Sequence, residues 1–305
     1  LSLRRQRQMC IRDRGHVHVK RVWGVPQFWL VWLVLCLNVT AGIGILGMAS
    51  PLLQEVFGGG LINKPELGFA QLDKDQLAAI AAIAAGFTGL LSLFNIGGRF
   101  FWASLSDKLG RKTTYLIFLV LGFILYSAIP WTAHIGALAL FVAAFCVILS
   151  MYGGGFATVP AYLADLFGTQ MVGAIHGRLL TAWSAAGIFG PVLVNYIREY
   201  QLSIGVPRAQ VYDITMYILA GMLVVGFLCN LAIRPVNPKY FMTDEELAQE
   251  KALAHERAAA AETHGVGTST FRTPAALVMF AWACVGIPLA WGIWITLQKA
   301  VVLFH

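Results

Sequence analysis

Between Ala78 and Ile129 every charged residue falls inside one fifteen-residue stretch, Gly98–Lys112, which reads GRFFWASLSDKLGRK. Its charges are Arg99, Asp107, Lys108, Arg111 and Lys112, and the apolar runs on either side carry none. A charge at the centre of a bilayer costs about 2.5–3.5 kcal/mol on insertion scales. The cluster is therefore expected at a membrane surface, with a membrane span before it and another after it. All but Asp107 are basic, which places that surface on the cytoplasmic side. A loop that only sets topology would look similar. The ordering Asp107-x-x-Gly110-Arg111-Lys112, with small Ala103 four residues before the acid, is more particular.

Composition agrees with spans throughout. The 305 residues are 58% hydrophobic and 12% charged, with a mean hydropathy of +0.70. A soluble domain carries about 25% charged residues, so a polytopic membrane protein is expected. The net charge of +7 lies largely in the first 21 residues and in short loops, where topology puts it, and does not indicate a nucleic-acid partner. Cys36, Cys146, Cys229 and Cys284 sit within apolar runs, without metal-ligand spacing. They read as small apolar residues, so no metal, cofactor or disulfide framework is expected. Residues 1–14 lack an apolar h-region and are not a signal peptide. Met9–Arg14 looks like a translated sequencing adapter, so native sequence is expected to begin near Gly15.

Read in order, residues 15–25 form a cytoplasmic linker, and six spans are expected within residues 26–233. The first (26–50) enters through Trp23, Trp29 and Trp32 and then becomes glycine-rich, either for close packing or as a flexing gate helix. A polar loop (54–76), with Glu55 among its acids, follows on the outside. The second span (77–102) ends in the charged stretch, and the third (113–129) returns outward to a turn at Pro130, Trp131 and His134. The fourth (136–163) contains Gly153-Gly154-Gly155. Each glycine costs roughly 1 kcal/mol against alanine in a helix, so a bend or local unwinding toward a cavity is expected there. The fifth (177–197) and sixth (214–233) follow a loop at 165–176. Thr243 and Glu246 form a capping box for a soluble helix to about Thr263, within a tether spanning 234–273. A seventh span is expected at 274–298.

The Ala103–Lys112 pattern resembles the cytoplasmic loop signature of the major facilitator superfamily, Gly-x-x-x-Asp-x-x-Gly-Arg-Lys, with Ala103 where glycine is usual. Three longer stretches resemble its oxalate/formate antiporter family: the glycine-rich first span with Ser50-Pro51, YGGGFATVPAYLADLFG (152–168), and GAIHGRLLTAWSAAGIFGP (173–191). The resemblance implies an all-α polytopic membrane protein, the six-helix C-terminal half of a facilitator fold, plus one extra C-terminal transmembrane helix. It implies a carrier of small organic anions working by alternating access, not an enzyme, in a bacterial-type inner membrane with a cytoplasmic amino end. The first half of the carrier is expected to be missing, leaving this half inactive alone. Arg99, Ala103, Asp107, Gly110, Arg111 and Lys112 belong to the gate signature, and Asp165 either joins its charge network or solvates the loop.

Cargo is read from the spans. Oxalate-type carriers place a basic residue in each of two cavity helices, equivalent to the second and fifth spans. The interior of the second, 77–98, has no lysine or arginine, and Trp183 stands where the fifth would carry lysine. A small dianion needs cations to offset its desolvation. The expectation is therefore a monocarboxylate, with a proton as candidate coupling ion. Tyr152, Thr158, Tyr162, Thr181, Trp183 and Ser184 are the substrate-contact candidates, with Arg178 as a possible cation; interhelical hydrogen bonds and packing are the competing roles. Asn38, Thr40, Thr88 and Asn95 are weaker candidates. The alternative class is a seven-helix receptor or sensor.

Overall fold

The computed structural model describes residues 15–266 and the separate positions 279, 282–284, 286, 287 and 291. The seventh span expected at 274–298 thus lies almost wholly outside the described residues. Eight α-helices occur among them: α1 (Pro26–Phe57), α2 (Lys74–Leu109), α3 (Arg111–His134), α4 (Leu138–Phe167), α5 (Val172–Leu179), α6 (Thr181–Ser203), α7 (Asp213–Ala232) and α8 (Asp244–Val266). They make six stretches long and apolar enough to cross a membrane, with α5 and α6 sharing one. The chain is a multi-pass membrane protein. It divides into two units, Leu1–Phe241 with α1 to α7, and Met242–His305 with α8.

Local chemistry sets the helix ends. Pro26 opens α1 at the position where a missing N–H is harmless. Asp73 caps α2 by accepting from the Gln76 N–H at 2.8 Å, while the Gln76 side chain accepts from the Asp73 N–H at 3.1 Å. In the second unit Thr243 and Glu246 make the expected reciprocal cap, at 3.1 and 3.2 Å, and start α8.

The helices are longer than the expected spans, and the difference matters. The charged signature is not a loop: Arg99 to Leu109 continue α2, and Gly110, at φ +89°, is a one-residue corner before α3. Likewise α1 continues through Pro51 to Phe57, so Glu55 belongs to a helix rather than to the polar loop. His134 is not simply solvated, since its Nε2 lies 2.8 Å from Asp213 Oδ2.

Within the first unit α2 packs along α4, α1 lies on α6 and α7, and α3 lies on α7. The α2–α4 contact is made by glycines. A Cβ on Gly98 would lie 2.1 Å from the Ser150 carbonyl oxygen, and one on Gly153 would lie 2.0 Å from that of Asn95. One on Gly154 would meet the Trp102 Cβ at 2.5 Å. The expected unwinding at the triple glycine is absent: α4 is continuous there, and the missing side chains let two backbones touch. The α1–α6 crossing follows the same rule, with a Cβ on Gly190 lying 2.9 Å from the Thr40 carbonyl.

At the end of the bundle away from the signature, Glu55 is 5% exposed and serves as an anchor. Its carboxylate accepts from Arg198 Nε at 2.9 Å and from Arg208 Nη1 at 3.0 Å. The Tyr212 hydroxyl donates to it at 2.8 Å, and Arg198 Nη2 contacts its second oxygen. One acid thereby joins the ends of α1 and α6 to the connection before α7. Removing one member of a buried ion pair leaves the other uncompensated, at a cost of about 3–5 kcal/mol. Glu55→Ala is therefore expected to lower unfolding stability by about that amount, measured by denaturant titration of the chain in detergent micelles.

Candidate functional site

Two clusters form along α2 and α4. The first is at the signature end, where Arg111 reaches back from the start of α3. Its Nη2 pairs with Asp107, its Nη1 contacts Ser106 Oγ, and its Nε lies 4.0 Å from Asp165 Oδ2. Its side chain is 10% exposed, so this is a partly sheltered charge held by α2, α3 and α4 together. Ala103 contributes its carbonyl to Arg111 Nη1 at 3.5 Å. Lys112 turns the other way and donates to the carbonyls of Leu231 and Ile233 at 3.1 and 2.6 Å. That closes the carboxyl end of α7, where a cation is favoured by the unpaired carbonyls.

The second cluster lies deeper. Arg99 precedes Asp107 by eight residues in one unbroken helix, which at 1.5 Å per residue is about 12 Å along the axis. Arg99 thus lies about two turns further into the apolar helix than Asp107. Its guanidinium carbon stands 5.3 Å from the centroid of the Phe156 ring. Phe156 packs edge-on against Trp183 at 4.5 Å, and Trp183 lies 6.1 Å from Tyr152. An arginine from α2, two aromatics from α4 and a tryptophan from α6 thus face one another. Arg99 is itself exposed, and a cation over an aromatic face gains about 0.5–2 kcal/mol while its guanidinium donors stay available to an anion.

The tyrosines of the spans divide by what their hydroxyls do. Tyr115 donates to the Gly155 carbonyl at 2.6 Å, Tyr126 to the Ala41 carbonyl at 2.9 Å, and Tyr162 to Asn230 Oδ1 at 3.0 Å. Asn230 in turn donates to the Lys112 carbonyl at 3.1 Å. Tyr162 therefore ties helices together instead of lining the site. Thr158 is 1% exposed and bonds the Gly154 carbonyl of its own helix at 2.9 Å. Thr181, at the α5–α6 break, accepts from Trp32 Nε1 at 2.9 Å and donates to the Arg178 carbonyl at 2.8 Å. Arg178 sits on α5, with Nη1 3.4 Å from the Ala174 carbonyl. Ser184 is exposed beside Trp183 on α6. Of the contact candidates, Tyr152 and Trp183 come together with Arg99, Ser184 adjoins them, and Thr158, Tyr162 and Thr181 hold helices. No group of three or more metal-ligating side chains occurs among the described residues.

A family model described as the Major Facilitator Superfamily matches residues 5–191. The chain belongs to the Major Facilitator Superfamily. The chain is 28% identical over 165 residues to the oxalate:formate antiporter of Oxalobacter formigenes, covering 54% of this chain and 34% of that protein. It is 28% identical over 179 residues to apicoplast pyruvate carrier 1 of Toxoplasma gondii, covering 57% and 29%. A third relative, the MFS-type transporter YhjX of Escherichia coli (strain K12), is 23% identical over 163 residues, covering 53% and 35%. The chain spans about a third of the length of these relatives or less. The superfamily points to a transporter and not an enzyme, with similarity to an oxalate:formate antiporter, and the seven-helix receptor reading gives way to that.

In this facilitator chain Arg99, grouped by sequence with the gate signature, stands eight residues of helix before Asp107 and faces Phe156. Counting helical rise would have set it apart. The hydroxyl census gives a direct test. Phenylalanine at Tyr115, Tyr126 or Tyr162 is expected to destabilise the chain by about 1–3 kcal/mol each, by stranding a buried partner. Tyr152→Phe is expected to leave the unfolding midpoint unchanged, since its hydroxyl serves no described residue.

Proposed function

We propose that the chain is the carboxyl-terminal half of a secondary carrier that moves small monocarboxylates by alternating access. The observation that carries this reading is the single guanidinium of Arg99, set deep in α2 against Phe156, with Trp183 and Tyr152 beside it. An ionisable side chain inside a membrane span marks a substrate path by default. A guanidinium offers a carboxylate two parallel N–H donors, and the aromatic faces suit a short apolar body. One cation neutralises one carboxylate. A dianion at the same place would keep a full uncompensated charge out of water, at a cost of several kcal/mol.

Arg99 adds a cation to the second helix just beyond the 77–98 interior, which carries none. It does not restore a pair, since Trp183 still stands in the fifth span. The names of two relatives, an oxalate:formate antiporter and a pyruvate carrier, support a carboxylate in general. The one cation that this half offers favours the monoanion, with a proton as the candidate coupling ion. A second six-helix half supplies the remaining cavity walls in this reading, and this half alone does not transport. Arg111, Asp107 and Asp165 form the gate, which faces the cytoplasm of a bacterial-type inner membrane, with the amino end on that side.

The test is uptake by the full-length carrier in proteoliposomes, with labelled pyruvate, lactate, formate and oxalate in mutual competition. Pyruvate, lactate or formate is expected to be carried, and excess oxalate is expected to compete weakly. Losing a desolvated charge partner costs about 2–5 kcal/mol, so Arg99→Gln is expected to weaken apparent affinity about thirtyfold or more. High-affinity oxalate exchange would overturn the monocarboxylate reading, and unchanged affinity in Arg99→Gln would remove Arg99 from the site.

A further inference from the structure

The segment ahead of α1 has the sequence of a linker and the burial of a core element. Val17, Val22 and Val25 are all 0% exposed. Val17 donates its N–H to the Phe167 carbonyl at 2.9 Å and forms an isolated antiparallel bridge with Phe241. The Gln170 N–H donates to His16 Nδ1 at 3.3 Å, and the Val19 N–H points at Met171 Sδ at 3.3 Å. Arg21 Nη1 donates to the Phe241 carbonyl at 3.3 Å. The approach is so close that a Cβ on Gly15 would lie 2.4 Å from the Phe241 ring. Gly168 is needed twice over. Its φ of +81° disfavours a side chain, and a Cβ there would lie 2.5 Å from the Gly15 carbonyl oxygen. The segment is a strap inserted between the corner after α4 and the chain beyond α7.

That corner carries the gate acid. Asp165 is in the last turn of α4, two residues before Phe167, which receives the Val17 hydrogen bond. Its carboxylate is 39% exposed and 4.0 Å from Arg111 Nε. At 4.0 Å, with the acid partly exposed, this pair adds only modest attraction of its own. Helix ends fray unless something ties them. Here the tie is the strap, which occupies the Phe167 carbonyl and fills the space beside Gly168.

We infer that Gly15–Val25 is a clamp that positions Asp165 for Arg111, so that docking of the strap and closure of the gate are energetically coupled. Asp165 and Arg111 are the gate groups; Val17 and Phe241 are positioning residues acting through the end of α4. This rests on the transporter reading for its purpose, but the coupling is a property of the chain itself and needs no substrate to detect.

Hydrogen–deuterium exchange of the 305-residue chain in lipid nanodiscs tests it, comparing Val17→Asp, Asp165→Asn and the double variant. Val17→Asp is expected to release residues 15–25 and also to speed exchange across 106–112 by about fivefold, the change expected on losing one net hydrogen bond. Asp165→Asn is expected to give the same rise across 106–112 with the strap still docked. The double variant is expected to add nothing further there, as two changes on one coupled path should. Residues 50–57, at the far end of α1, serve as an unaffected control. Phe241→Ala, which removes the opposite wall without introducing a charge, is expected to reproduce the pattern if Val17→Asp unfolds the chain. A released strap with unchanged exchange at 106–112, fully additive effects, or a strap that stays protected in both Val17→Asp and Phe241→Ala would overturn the clamp. A carrier of some other cargo gives the same exchange pattern, so failure of the uptake test leaves this result standing.

Discussion

The contact on which the rest depends is the backbone-to-backbone approach of α2 and α4 at Gly98, Gly153 and Gly154. In a bilayer, helices gain little from excluding water from apolar faces, so association rests on close packing and interhelical hydrogen bonds. Where Gly98 meets Ser150 and Gly153 meets Asn95, even one methyl group would force the helices apart. That approach fixes the register of α2 on α4. The register puts Arg99 over Phe156 at one level and brings Asp165 to Arg111 nearer the membrane surface. The positions of Arg99 and of the Arg111–Asp165 pair are thus set by one helix pair.

The two clusters differ in how their charge is compensated. At the gate, Arg111 meets Asp107 and Asp165, and Lys112 closes the end of α7 on backbone carbonyls. Arg99 meets an aromatic ring instead. The far end follows the gate's logic, with Glu55 shared between two arginines and a tyrosine. Among the described residues Arg99 is thus unlike these paired charges, and that contrast is the ground for proposing it as the substrate's partner.

Much of this was legible in the sequence. Alternating charge-free runs and short charged connections gave the membrane crossings, and the Asp107–Lys112 ordering pointed to the family that the comparisons establish. The Thr243 cap was also readable, because capping is local. What could not be read is tertiary. The triple glycine in α4 suits unwinding or close packing equally well until its neighbour is known. Thr158, Tyr162 and Thr181 carry the hydroxyls a substrate would want, and equally those that Gly154, Asn230 and Trp32 use. Glu55 was placed in a loop for a simpler reason: α1 runs on through Pro51, which reads as a boundary in the sequence. The buried strap at 15–25 gave only one signal, alternating Val17 and Val19, too short to argue a bridge.

The central claim is one of depth: Arg99 lies within the span while Asp107 marks its edge. Single cysteines at Asn95, Arg99, Ala103 and Asp107, one per helical turn, can be placed in a chain whose native cysteines are replaced by alanine. Their rates of reaction with a membrane-impermeant thiol reagent, measured in nanodiscs, read that depth. The account predicts rapid labelling at 107, slower labelling at 103, and strong protection at 99 and 95. Labelling at 99 as fast as at 107 would put the arginine at the membrane surface and contradict the account.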